Sequence, residues 1–190
     1  MIDIGKLKEM LKEHPRFTHS LGVANMAIKL SRLHNLKICN QKIVTAALLH
    51  DITKEMDIDE QIELLKKYKP EFVSDELMLS LPVIHAFSGS VIAKLKYEVD
   101  DEDILNAICY HTTGRSNMSD LEKIIFLADY TEEGRNGKHF EIIRTLSYES
   151  IDNAIVKMFE LNFEHIKSKN MHIHSLSNEA YKYYKGETKC

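Results

Sequence analysis

Apolar residues recur along this chain at three- and four-residue steps, and no segment alternates in the two-residue rhythm of a half-buried strand. The opening MIDIGKLKEMLKEH interrupts its apolar positions with Lys and Glu and predicts an amphipathic helix. From Thr18, taken as a cap, to Leu33, the residues Leu21, Val23, Met26, Ile28, Leu30 and Leu33 predict a helix with a broad buried face. Gln41 to Leu49 is apolar almost throughout and predicts a helix buried on most sides, closed by His50 and Asp51. Asp57 caps a predicted helix through Ile58, Ile62, Leu65 and Tyr68 that stops before Pro70. Another starts near Pro82, carries His85 in its first turn and ends near Tyr97. A short buried helix over Asp103 to His111 runs into a Thr112-Thr113-Gly114 loop. Ser119 and Glu122 form a capping-box signature for a helix leading to Asp129. Thr131 to Lys138 is read as a charged loop, Ser150 to Lys167 as a long amphipathic helix, and a shorter C-terminal helix follows.

With no internal repeat, low-complexity tract or linker, the expectation is one all-α domain over residues 1–190, its core at 16–132 and further helices between 140 and 185 packing on it. The length of 190 residues suffices for a substantial core, and 44% hydrophobic with 28% charged residues is an ordinary globular balance. A net charge of -4 supplies no basic field for duplex nucleic acid. Cys39, Cys109 and Cys190 are odd in number and far apart, which disfavours a disulfide framework and fits a reducing cytoplasm. No stretch approaches the ~20 apolar residues of a membrane span, so no membrane partner is expected.

Chemistry enters with His50-Asp51. An imidazole and a carboxylate at the end of so apolar a helix are costly to bury without partners, and a divalent cation satisfies both. His19 on the preceding helix and Asp129 at the end of a later one are placed so that a bundle can bring them alongside. His85 and His111, each at the edge of an apolar helix, suggest a second ion, because four His and two Asp exceed the needs of one ion with open positions. Asp51 is the natural bridge between two. The bland reading of the doublet is a cationic His at a helix C-terminus with Asp capping the next segment.

The stretches RFTHSLGV around His19, LLHDITKE around the doublet, IHAFSGSVIAK around His85, CYHTTGR around His111, LEKIIFLADYTEEGR through Asp129 and IHSLSNEAY near the C-terminus resemble, in order and spacing, the YqeK-like family of HD-domain symmetrical diadenosine tetraphosphate hydrolases. The resemblance covers nearly the whole chain. It departs from the family where Thr131-Glu132-Glu133 stands in place of a proline just before Gly-Arg, which loosens the placement of Arg135. It implies an HD-type helical bundle with a metal site in its core. Two divalent ions are implied, iron foremost, with manganese, cobalt or nickel also compatible with the ligands. The implied reaction is cleavage of diadenosine tetraphosphate at its middle by a hydroxide between the ions, releasing two ADP.

Asp51 and Lys54 are the residues expected to act in catalysis, and Lys54, Arg115 and Arg135 to hold phosphate, although each of these cations has an ordinary solvated reading as well. His14, His34, His139 and His165 show no partner pattern and are read as surface residues, and His172-x-His174 as a packing element. Thr112 and Thr113 either orient a phosphate or shape a turn, and Tyr181, Tyr183 and Tyr184 are read as packing rather than a base platform. Three alternatives compete: a mononuclear nucleotidase or phosphodiesterase using only His19, His50, Asp51 and Asp129, an inactive nucleotide sensor, and a structural helical protein. A homodimer is compatible with the sequence.

Overall fold

A computed structural model of the protein describes residues 3–186, so Cys190 and the first two residues lie outside it. Within that span there are eleven α-helices: α1 (Ile4–Leu11), α2 (Phe17–Leu33), α3 (Asn40–Leu49), α4 (Ile58–Tyr68), α5 (Asp75–Leu79), α6 (Ile84–Tyr97), α7 (Glu102–Cys109), α8 (Asp120–Thr131), α9 (Lys138–Glu149), α10 (Ile151–Ser168) and α11 (Ser175–Lys185). Short 3-10 turns at Pro70–Phe72 and Leu81–Val83 flank α5. The described residues contain no strand, as the periodicity predicts.

The core forms where the apolar stripes of α2, α3, α7 and α8 meet. Leu30, Ile43, Leu49, Ile108, Ile124 and Phe126 are all almost fully buried there, each contributing about 1.5–3 kcal/mol of burial free energy. The same cluster continues through Leu7 and Leu11 of α1 and out to Ile155 and Phe159 of α10 and Ala180 of α11. A smaller cluster of Ile62, Leu65, Leu77, Ile84, Phe87, Val91 and Cys109 lies under the start of α6, where Phe72 stacks on Phe87 at 4.3 Å between ring centroids.

Several local signals operate as read. Asp57 caps α4, and Ser119 with Glu122 forms a complete capping box on α8. Others do not. Thr18 is not a cap: the chain enters α2 a residue earlier, with the Phe17 amide donating to the His14 carbonyl, and no side chain caps that helix. The charged loop is shorter than expected, because α8 runs through Thr131 and α9 begins at Lys138, two residues before the helical stretch expected from 140. His34 is not a free surface residue either, since its Nε2 pairs with the Ser147 carbonyl at 2.7 Å and ties α2 to α9. His14 likewise pairs with the Ile52 carbonyl, at 3.2 Å.

His172 and His174 act in packing. Glu76 of α5 accepts from His172, from the Ser175 hydroxyl and from the Ser175 amide, while the His174 ring packs edge-on against Phe87. Burial acts to raise the Glu76 carboxyl, but His172 and Ser175 overcome it and lower it from 4.5 to about 2. Since its folded pKa lies below its unfolded one, this clamp stabilises fully above pH 4.5 and is lost as pH falls towards 2. The clamp is partly solvated, so Glu76→Gln is expected to cost only about 1 kcal/mol near neutrality. In melting curves measured across pH, the parent should lose that advantage over the variant between pH 4.5 and 2.

Candidate metal centre and active site

Every sequence-selected metal ligand sits at or beside a helix end, and five such ends converge. His19 lies in the first turn of α2, His50 caps the C-terminus of α3 with Asp51 following, His85 is the second residue of α6, His111 follows α7, and Asp129 is near the end of α8. A buried polar network fixes the two segments that would otherwise be loosest. The Thr53 hydroxyl donates to the His85 carbonyl at 2.8 Å, and Ser88 on the next turn of α6 donates to Gln61 of α4 at 2.9 Å. Gly114, just beyond His111, adopts φ +61°, and a Cβ there would lie 2.9 Å from Phe159, so glycine is required on two counts.

The imidazoles are oriented from behind. His50 Nδ1 lies 2.7 Å from the Ala47 carbonyl and His111 Nδ1 2.7 Å from the Ile108 carbonyl, so in the neutral ring each donates that proton to its own helix and carries its lone pair on the inward Nε2. The inward-facing atoms are crowded. Asp51 Oδ1 is 3.1 Å from His85 Nε2 and 3.5 Å from His111 Nε2, and those two nitrogens are 3.2 Å apart. On the other side, Asp129 Oδ1 is 3.0 Å from His19 Nε2 and 3.7 Å from His50 Nε2, and Asp51 Oδ2 is 3.5 Å from His50 Nε2. His50 Nε2 is fully buried and makes no hydrogen bond.

This donor set fits divalent cations. Ligand atoms of His19, His50 and Asp129 lie within 4.8 Å of one another, as do those of His50, Asp51 and His111, so two triads share His50. Asp51 turns one oxygen towards His85 and His111 and the other towards His50. The buried His50 Nε2, which no protein group satisfies, calls for a ligand.

The electrostatics are those of opposite charges packed together: burial acts to lower His50, but Asp129 and Asp51 overcome it and raise it. Burial acts to raise both carboxyls, but His111 and His85 hold Asp51, and His19 and His50 hold Asp129, well below the ordinary carboxylate range. Burial pushes His85 down to about 4 despite Asp51, keeping it a neutral donor. Burial also lowers the Lys54 ammonium, whose Nζ is 3.0 Å from His85 Nε2.

Three cations rim the centre. Lys54 and Arg135 have side chains 38% and 34% exposed, and Arg135 donates to Asp129 Oδ1 at 2.9 Å. The third, Arg16, was not selected from sequence; it approaches Asp51 Oδ2 at 2.8 Å. Arg115 is placed differently. Its Nε and one terminal nitrogen each contact a Glu122 oxygen at 2.6 Å, and its guanidinium lies over Tyr110. Glu132 was also missed by the sequence reading and lies 3.3 Å from His19 Nδ1. Thr113 donates to the Gly114 carbonyl, shaping the turn, and the Tyr184 hydroxyl accepts from the Met118 amide in a packing role.

Comparison with known proteins agrees with this arrangement. The HD domain family matches residues 16–134, which contain all six candidate ligands. The chain is 32% identical over 188 residues to the "Bis(5'-nucleosyl)-tetraphosphatase, symmetrical" of Staphylococcus aureus, covering 96% of this chain and 95% of that one. It is 35% identical to the protein of the same description from Halalkalibacterium halodurans, over 90% of each. A crystal structure from Clostridium acetobutylicum, described as a predicted HD superfamily hydrolase involved in NAD metabolism, superposes with TM-score 0.91 at 33% identity, over 99% of this chain and all of that one. No helix among the described residues is long and apolar enough to cross a membrane. The convergent His and Asp residues, the all-helical frame and these full-length similarities place the chain in the HD-domain family, among the symmetrical bis(5'-nucleosyl)-tetraphosphatases.

Proposed function

We propose that this chain, acting as a single unit, hydrolyses dinucleoside polyphosphates and cuts diadenosine tetraphosphate symmetrically into two ADP. His19, His50, Asp51, His85, His111 and Asp129 would hold two divalent cations, iron foremost. The observation that carries this reading is the division of the Asp51 oxygens between two sets of imidazoles. When bound, such cations supply an acidified water and neutralise charge on phosphoryl oxygens.

The chain's own residues do the rest. Asp51 and Asp129 remain ionised and present oxygens, while the fixed tautomers of His50 and His111 keep their Nε2 lone pairs inward. Lys54, Arg135 and Arg16 form a cationic rim suited to a four-phosphate bridge, and charge at this rim favours a leaving ADP. The tie between Arg115 and the Glu122 carboxylate leaves phosphate binding to the other three.

The test is an anaerobic assay of iron-loaded protein with diadenosine tetraphosphate, the products being separated by ion exchange. ADP alone supports symmetrical cleavage; AMP with ATP refutes the regiochemistry; no turnover with two metals bound overturns the enzyme reading in favour of a sensor. In the same assay Lys54→Met is expected to lower kcat/KM by about 10²-fold, with metal content unchanged at about two per chain.

A further inference from the structure

Glu132 and Arg144 lie outside the ligand set, yet the geometry ties both to it. His50 and His111 have their Nδ1 atoms held by carbonyls of their own helices, an arrangement the local backbone provides. His19 is held differently: its Nδ1 faces Glu132 Oε1 at 3.3 Å, across 113 residues of chain. Glu132 is only 7% exposed, and its other oxygen accepts from the Gly134 amide at 2.6 Å. Two glycines make room for this carboxylate. A Cβ at Gly22 would come within 2.7 Å of Glu132 Oε2, and one at Gly134 within 2.9 Å.

The loop that carries Glu132 is closed from α9. Arg144 donates to the carbonyls of Thr131, Glu132 and Arg135 at 2.7, 2.9 and 2.8 Å. The same loop delivers Arg135 to Asp129, through the Asp129 carbonyl at 3.1 Å and its Oδ1 at 2.9 Å. One guanidinium on a distant helix therefore sets two side chains that bear on the centre.

We infer that Glu132 and Arg144 are positioning residues of the metal centre: Glu132 accepts a hydrogen bond from the Nδ1–H of His19 so that the Nε2 lone pair faces the ligand cluster, and Arg144 holds the loop that makes this contact. The inference rests on the metal-centre reading proposed above. A carboxylate behind a ligating imidazole fixes its tautomer and raises its basicity, and loss of such a partner typically weakens metal affinity about 10–100-fold.

The experiment is a cobalt(II) titration of the metal-free full-length protein, followed by visible absorption, with melting of the metal-free form measured alongside. Glu132→Ala is expected to weaken one of two cobalt sites by about 10–100-fold, and Glu132→Gln, which keeps an acceptor oxygen, to recover most of that loss. Arg144→Met should weaken the same site.

Gly22→Ala separates positioning from general stability. Ala is the better helix former, and the nearest atoms its Cβ meets are those of the Glu132 side chain, so metal-free melting should hold or rise while cobalt affinity falls. Cobalt bound as tightly by Glu132→Ala and Gly22→Ala as by the parent overturns the inference and leaves the metal centre standing, whatever happens to melting. A parent that binds no cobalt overturns the metal-centre reading itself, and the inference with it.

Discussion

Asp51→Asn is expected to lower turnover of diadenosine tetraphosphate by more than about 10³-fold, equivalent to about 4 kcal/mol of transition-state stabilisation, and to bring bound metal from about two ions per chain to one or fewer. The amide keeps the shape of the side chain but offers one neutral oxygen where the carboxylate offers two charged ones. In this structure one of those oxygens is 3.1 Å from His85 Nε2 and the other 2.8 Å from Arg16, so both halves of the site lose their shared anion at once. Elemental analysis beside a steady-state assay checks it. Two retained ions together with retained activity would remove Asp51 from the bridging role.

Arg115→Ala should have its large effect on the fold instead. Glu122 is 2% exposed, and both of its oxygens are engaged by Arg115 at 2.6 Å. Removing the guanidinium strands a buried carboxylate, at a cost of about 3 kcal/mol, the lower end of the usual range because Arg115 is itself partly solvated. For a chain of this size that is a fall of about 6–12 °C in melting temperature. Below that transition, kcat/KM should stay within about threefold of the parent. The double variant Arg115→Met/Glu122→Met should recover only part of the stability, because the charge left unpaired is then gone but the contact of Glu122 with the Ser119 amide is lost with it. A loss in kcat/KM above about 30-fold with melting unchanged would instead put Arg115 back on the substrate.

The two cases show which parts of the site are legible along the chain. His50, Asp51 and Asp129 stand out because ionisable residues terminate strongly apolar runs, where burial without a partner is expensive. Arg16 and Glu132 carry no such mark: their partners lie 35 and 113 residues away, and charge at a helix start or in a loop looks ordinary. Gly22 is a trace of Glu132 within a helix, a glycine that its own segment does not need. Arg115 follows a glycine loop, which in sequence suggests a phosphate role, while the Glu122 that pairs with it carries a capping-box signature that hides the ion pair. The apolar pattern gives α9 no separate bounds: only Ile143 and Ser147 of its twelve residues are buried, with Ile142, Leu146 and Tyr148 partly buried against the core.

The convergence of five helix ends also bears on how the protein comes into being. His19 and Asp129 face each other across 110 residues, and even His85 and His111 are 26 apart, so no segment of the chain carries a centre of its own. During synthesis at about 5–20 residues per second, Asp51 would emerge roughly 4–16 s before Asp129. Over that interval the nascent helices can form, but the cluster they will enclose does not yet exist. The growing chain therefore exposes no assembled phosphate-cleaving site until its eighth helix has been made.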